Sequence, residues 1–432
     1  MKERTFRKEL NWSRLDNTAN LFPAIATDRT TNVYRLSVAL CEEVNAQVLQ
    51  SALENILPWF DSMNVRMRTG AFWYYFETNF SRLQVQEDHF LPCTPMDRAA
   101  NKGYLFRLYY RGRHIHFEVF HALADGNGAV VFLQTLLYRY LRELHSEKIP
   151  SGLSIRQDTP SLKAMEENSF MHHTTAPKGS GIPAKVVKAF HIDGVRTFRG
   201  GMKIVQGFCS AKKAVALARA EGVTLTTYLT ALLAFSIYSQ NYQYSRRDKP
   251  IIINVPINLR NLFESSTMRN FFACVNLSFL PLEESLPFRS FLEETMRQME
   301  NGQKEDKLAE QISRNVTAER NPAMRAVPLF LKNPVLNYMF LRNERGQTCT
   351  VSNMGRIVLP EALMPFVQRM EVIIPATYSQ NIKLGLVSCG DVLTCSFSSR
   401  IEENDIQRFF FRFLREKGLE IRLGCNEAAD NI

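Results

Sequence analysis

No Cys-x-x-Cys pair occurs among the 432 residues, although the chain has eight cysteines. That absence removes the common zinc frameworks and the paired-thiol redox motif. Cys389 and Cys395 flank a turn expected at Gly390-Asp391, but spacing alone does not make a disulfide. Reduced thiols of a cytosolic protein are the expectation. Long apolar runs are missing too. The most apolar helical stretch, Leu225 to Tyr238, has 14 residues and several threonines. It is too short to span a bilayer and suits a buried core helix. The opening residues Met1-Lys2-Glu3-Arg4 are charged and lead into no signal-type apolar segment, so a cytoplasmic location is expected. There is no Gly-x-Ser-x-Gly elbow, no phosphate-binding glycine loop and no dinucleotide fingerprint. Covalent serine catalysis and nucleotide hydrolysis therefore lack support. No histidine follows His191, so any chemistry from the second half comes from other residue types.

What is present is the composition of a soluble globular protein, 45% hydrophobic and 22% charged. Its length exceeds one ordinary core and implies two lobes. A net charge of +10 attracts anions. No nucleic-acid motif accompanies it, so nucleic acid is not an expected partner. Smaller phosphate-bearing ligands suit the distribution better: acyl-coenzyme A, or a phosphopantetheine arm on an acidic acyl or peptidyl carrier protein. Lys185, Lys188, Arg196, Arg199, Lys203, Lys212 and Lys213 form a loose basic region mid-chain. The simpler reading of each is a solvated surface.

The most informative segment is Phe120-His121-Ala122-Leu123-Ala124-Asp125-Gly126. An imidazole near its ordinary pKa can take a proton from an alcohol, amine or thiol at neutral pH. The turn-prone Asp-Gly pair fixes the loop that aims it. Upstream, His114 to Val119 alternate polar and apolar residues as a strand does, and Tyr104 to Tyr110 forms a second strand across a turn at Arg111-Gly112-Arg113. Downstream, Ala129 to Leu141 is apolar at helical spacing and much longer than a strand. His121 thus sits on a strand-loop-helix junction, where a rigid scaffold presents a side chain. The alternative is a histidine satisfied at a buried turn.

In the first half, strands are expected at 32–40, 63–68 and 72–76, a helix at 44–56, the hairpin at 104–120 and the long helix to about His145. Periodicity fades from Ile149 to Thr197 through Pro150, Pro160, Pro177 and Gly179-Ser180-Gly181, as in a long crossover. In the second half, helices are expected from Ser210 to Ala220, from Thr224 or Thr226 to Gln240, from Leu286 to Glu300 and from Glu403 to Lys417. Strands are expected at 251–257, 271–280, 349–352, 370–374, 382–388 and 392–398. Each half mixes a sheet with covering helices, which favours an α+β protein of two stacked lobes. The expected division is 1–165, a linker at 166–200, and 201–432.

Four segments, in this order, resemble the chloramphenicol acetyltransferase-like superfamily, which includes condensation domains and alcohol O-acetyltransferases. They are His121 to Gly126, Asn254-Val255-Pro256-Ile257-Asn258-Leu259-Arg260, Arg269 to Leu277, and Val351-Ser352-Asn353-Met354-Gly355. The alcohol O-acetyltransferase branch looks nearest, because Phe120 stands where condensation domains carry a first histidine. The resemblance implies two lobes of related fold with a tunnel between them, and donor and acceptor meeting at the histidine. His121 would be the general base. Asp125 would organise the loop by pairing with Arg260, and Gly126 would leave room for a pantetheine chain. Asn276, Ser352 and Asn353 hold the family-like positions for oxyanion or substrate contact. No bound cofactor is implied; the co-substrate is an acyl-coenzyme A or phosphopantetheine thioester, and the acceptor a small alcohol or amine. Two alternatives are a stand-alone condensation-type enzyme and a non-catalytic carrier- or coenzyme A-binding module of the same fold.

His114 and His116 share one face of a strand and, with His121, could suggest a metal site. No acidic or cysteine ligand accompanies them at useful spacing, so no metal is expected. His172-His173 lies in the crossover and is expected on the surface.

Overall fold

In the computed structural model, burial alternates along strands with one covered face, such as Phe272–Phe279, whereas Val33–Leu40 is buried at every position. The structure describes residues 11–16, 18–89, 91–152, 169–172, 187–197, 201–244, 248–280, 285–320 and 322–426. In the first half the elements are β1 (Trp12–Arg14), α1 (Leu21–Ile25), β2 (Val33–Leu40), α2 (Ala46–Ile56), β3 (Val65–Thr69), β4 (Tyr74–Thr78), β5 (Gln86–Glu87), β6 (Phe106–Arg111), β7 (His114–Phe120) and α3 (Gly126–Leu144). A short helix, α4 (Ser169–His172), follows. The second half contains β8 (Lys203–Ser210), α5 (Ala211–Ala220), α6 (Leu225–Gln240), β9 (Ile251–Asn258), β10 (Phe272–Phe279), α7 (Phe288–Gly302), α8 (Glu305–Arg320), α9 (Pro322–Ala326) and α10 (Leu329–Glu344). Last come β11 (Cys349–Ile357), β12 (Val367–Ile373), β13 (Ile382–Cys389), β14 (Val392–Ser399), α11 (Asp405–Glu416) and β15 (Arg422–Cys425).

Ile115, Phe117 and Val119 of β7 face a core that includes Leu36 and Val38 of β2 and Phe132, Leu133 and Leu136 of α3. Phe132 stacks on Phe117 at 5.2 Å. Burying such a ring contributes about 1.5–3 kcal/mol. The second core lies around α6, whose residues are buried on nearly all sides, as its apolar composition requires. Its sheet runs β10-β9-β11-β13-β14-β8-β15. Helix starts are set by side-chain caps: Asn45, Asp125, Ser210 and Thr224 each accept a backbone N–H from the first turn.

The fold is α+β with mixed sheets covered by helices, as expected. The expected division of the chain at residue 201 is crossed, however. β12 pairs antiparallel with β2, from Val367↔Leu40 to Ile373↔Arg35. The first-lobe sheet is therefore β12-β2-β7-β6-β5, with one strand lent by the second half. Met370 and Val372 carry their apolar side chains into the first-lobe core, which is the physical reason the strand sits there. β12 also packs against β13 and β14 and so joins the two lobes. Cys389 and Cys395 are both free and do not face each other: Cys389 pairs with Val392 and Cys395 with Leu386. Lys185, Arg199 and His173 lie outside the described residues.

Candidate active site

His121 follows the last residue of β7, and the loop to α3 is pinned on both sides. Its backbone N–H donates to Asn32 O at 2.8 Å. Asn32 adopts a φ of +52°, in the left-handed region that asparagine tolerates better than most residues. The imidazole stacks on Phe22 of α1 with centroids 4.4 Å apart and meets the edge of Tyr34 at 5.2 Å. Tyr34 in turn donates its hydroxyl proton to Ala124 O at 3.0 Å.

The decisive contact comes from the second half of the chain. Nδ1 of His121 lies 2.9 Å from Oδ1 of Asn270, in the segment leading into β10. The amide orientation is fixed by its other end, where Nδ2 and the backbone N–H of Asn270 both donate to Asp16 Oδ2 at 3.1 and 3.2 Å. A carboxylate oxygen there accepts, so Oδ1 faces the imidazole and accepts from Nδ1–H. The ring proton is held at Nδ1 and Nε2 keeps its lone pair. Burial lowers the His121 pKa, opposed by the nearby Asp125 charge and by hydrogen bonds to Nδ1–H. A neutral imidazole with a free Nε2 is a base. Burial also raises the Asp16 carboxyl, against the N–H groups of Ala19 and Asn270.

Asp125 does not point at this base. Its Oδ1 caps α3 through Gly128 N at 3.1 Å. Arg260 grips both oxygens, NH1 on Oδ2 at 2.8 Å and NH2 on Oδ1 at 3.0 Å. Phe271 N–H adds a bond to Oδ2 at 3.0 Å. Arg260 is further held by Thr267 O and Arg269 O. The pair expected from the sequence is thus in place, and it ties the His121 loop to the segment that presents Asn270.

Other sequence candidates divide. The space over Gly126 is taken by Met354, whose Sδ and Cε lie 2.5 and 2.4 Å from where a Cβ would stand. The room expected there for a pantetheine chain is therefore filled by a thioether. Gly128 is the stricter position: its Cβ would fall 1.9 Å from Met268 O. Asn353 is engaged structurally, donating to Thr226 Oγ1 at 2.7 Å and accepting from Gly355 N at 2.8 Å. Asn276 accepts from Asn254 Nδ2 at 2.7 Å, four residues along β10 from the Phe272 that neighbours His121. Ser352 lies on β11 with its side chain opposite Val351, which faces the second core. Sequence reasoning missed Asp16, Asn270, Phe22 and Gly128.

His114 and His116 belong to a separate network on the face of the first-lobe sheet. Their rings stack at 5.6 Å, and His116 Nδ1 meets Ser37 Oγ at 2.8 Å. Arg35 bonds Asp88 at 2.6 Å and Glu118 at 2.8 Å, Arg107 also bonds Glu118, and Arg369 bonds Glu371 at 2.8 Å. Three guanidinium groups balance three carboxylates, which is what allows these charges to be buried between the lobes.

No known family profile matches the sequence, and no curated protein matches it. Solved structures do match. F. graminearum TRI101 complexed with coenzyme A and deoxynivalenol superposes with a TM-score of 0.62 at 11% identity, covering 95% of this chain and 99% of that one. Polyketide synthase associated protein 5 from Mycobacterium tuberculosis gives 0.58 at 12%, covering 93% and 96%. A mutant starter condensation domain of rhizomide synthetase in complex with C8-CoA gives 0.57 at 12%, covering 94% and 93%. At such identities the likeness is one of fold. With its five- and seven-stranded sheets, a small third sheet of β1, β4 and β3, the lent strand and the strand-loop-helix junction, the chain has the fold of these structures, the chloramphenicol acetyltransferase-like fold that the sequence resemblance implied.

Proposed function

We propose that the protein is an acyltransferase that moves an acyl group from a coenzyme A or carrier-protein thioester to a small alcohol or amine. The observation that carries this reading is the neutral His121 imidazole, with its proton held at Nδ1 by Asn270 and its Nε2 free. Nε2 takes the acceptor's O–H or N–H proton as the acceptor oxygen or nitrogen bonds to the thioester carbonyl carbon. The tetrahedral intermediate collapses with cleavage of the C–S bond, and the imidazolium returns the proton to the departing thiolate. Ser352 is the proposed oxyanion donor, because Asn353 Nδ2 already donates to Thr226 and Asn276 stands four residues along β10 from the Phe272 that neighbours His121. Asp125 and Arg260 hold the loop and touch no substrate. The solved relatives with coenzyme A or C8-CoA bound support a thioester donor.

Thiol release from a panel of acyl-coenzyme A donors, with mixed alcohols and amines, tests this reading. Release should depend on acceptor and fall by roughly 10²–10⁴-fold in His121→Ala. An undiminished rate in that variant would overturn the role of His121. Turnover only with carrier-loaded thioesters would instead identify a condensation-type enzyme.

A further inference from the structure

α10 carries its apolar residues on the wrong side for a core helix. Leu329, at its start, is buried, and the helix packs against α1. Leu331, Val335 and Tyr338, spaced at helical intervals, form an outward row with Phe330 and Met339 beside it. Phe330 is 72% and Tyr338 66% exposed. The row continues onto the β3–β4 hairpin tip, where Leu329 N–H bonds Ala71 O at 2.8 Å and Lys332 Nζ bonds Phe72 O at 2.9 Å. Phe72 and Trp73 are exposed there, and Arg14 lies over the Trp73 ring at 5.6 Å. Contiguous apolar surface of this kind marks an interaction site.

Charge selects the partner. From Pro322 to Arg345 the one acidic residue is Glu344, and it is buried against Thr377 Oγ1 at 2.9 Å. Arg325, Arg342 and Arg345 are exposed along the same stretch, and none of them forms an ion pair among the described residues. Exposed aromatic rings flanked by unpaired cations fit the interface of an anionic lipid bilayer, the rings at headgroup level and the guanidiniums on phosphate. No single described helix is long and apolar enough to cross a membrane, and α10 has 16 residues with Pro334 inside. It would lie on the surface.

We propose that the face formed by α10 and the β3–β4 tip docks on anionic membranes. α10 packs on α1, and α1 places Phe22 on the His121 ring. The docked face therefore sits one helix away from the base. An apolar alcohol or amine dissolved in the bilayer becomes the acceptor class; that consequence, unlike the docking, rests on the acyl-transfer reading.

The test is co-sedimentation of the full chain with phosphatidylcholine vesicles, with and without phosphatidylglycerol. Binding should require phosphatidylglycerol and weaken with salt, each arginine adding roughly fivefold to the partition. Phe330→Ser with Tyr338→Ser, and separately Arg342→Glu with Arg345→Glu, should each lose about tenfold or more of the binding, with circular dichroism unchanged. Absence of sedimentation, or equal sedimentation of the variants, would overturn the proposal. So would a concentration-dependent dimer that these substitutions dissociate, because a second copy would then be the occupant. His121→Ala should bind vesicles like the wild type, so failure of the acyl-transfer reading and failure of docking are read separately.

Discussion

Asn270 and His121 stand 149 residues apart in sequence and share a hydrogen bond of 2.9 Å that fixes the tautomer of the imidazole. Asp16 sets that bond from behind by accepting both N–H groups of Asn270. The arrangement makes Asn270 a positioning residue, and the pH profile separates that role from a merely structural one. Burial holds the His121 pKa below its ordinary value, so the acidic limb of the wild-type rate should fall below about pH 6.5. Asn270→Asp puts a carboxylate on the ring, favours the imidazolium and should move that limb to higher pH. Asn270→Leu should lower kcat by about ten- to a hundredfold through loss of tautomer control. A loss of rate in Asn270→Asp without movement of the limb would refute the assignment.

The Asp125–Arg260 pair joins the two lobes, and both side chains are nearly inaccessible. Removing one partner leaves a buried charge without compensation, at a cost of about 3–5 kcal/mol. Asp125→Ala also removes the cap of α3. Urea unfolding should show Asp125→Ala and Arg260→Met each strongly destabilised, and the double variant less destabilised than their sum. Strict additivity would mean that the two groups do not act as a pair.

The junction that carries His121 and Asp125 was legible because it is local: a strand ends, a turn follows and a helix begins within one short segment. The Met354 thioether over Gly126, by contrast, comes from a distant strand and left no local signal. Arg260 was reached through the resemblance carried by its own segment. Asn270 lay inside a segment already singled out, yet its role depends on Asp16, which no periodicity links to it. Contacts between distant loops leave no local signal. β12 was legible as a strand by alternation, but its partner was not, since pairing with β2 is decided by which core Met370 and Val372 fill. β8 was obscured by Gly207, a residue that ordinarily weakens a strand. There the Phe411 ring lies 2.2 Å from where a Cβ would stand, which explains the glycine. α10 escaped because its outward face is apolar, so the two-sided pattern that marks a helix is missing.

The two glycines at the start of α3 should respond differently to alanine. At Gly128 a Cβ would meet the Met268 carbonyl oxygen at 1.9 Å, and a backbone atom in the segment that bonds Arg260 moves only with its loop. Gly128→Ala should lower Tm markedly and displace Asn270, with loss of activity. At Gly126 the obstacle is the flexible end of Met354. Gly126→Ala should cost less, and Met354→Ala should relieve it. Thermal melts of the three single variants and the Gly126→Ala/Met354→Ala pair check both expectations. Equal damage at the two positions would contradict them.

The buried network between the lobes predicts a pH-dependent stability. Burial and the adjacent Arg35 charge lower the His116 pKa to about 3, against the opposing pull of Asp88 and Glu371. In the unfolded chain the same imidazole titrates near about 6.5. Below that value the unfolded state binds a proton that the folded state refuses, so stability falls with pH, continuing down to about 3. The slope for this one group is about 1.4 kcal/mol per pH unit once the unfolded histidine is protonated. Glu371, held down to about 2 despite its burial by His114, Arg369 and Gln206, acts in the same direction only at lower pH. His121, whose pKa burial also lowers, contributes over the same interval from pH 7 to 5, so the His116 share is read from the difference between wild type and a His116 variant. His116→Asn should lower Tm at pH 7 through lost packing, yet show a shallower fall between pH 7 and 5 than the wild type. Parallel curves for the two proteins would place the acid sensitivity elsewhere.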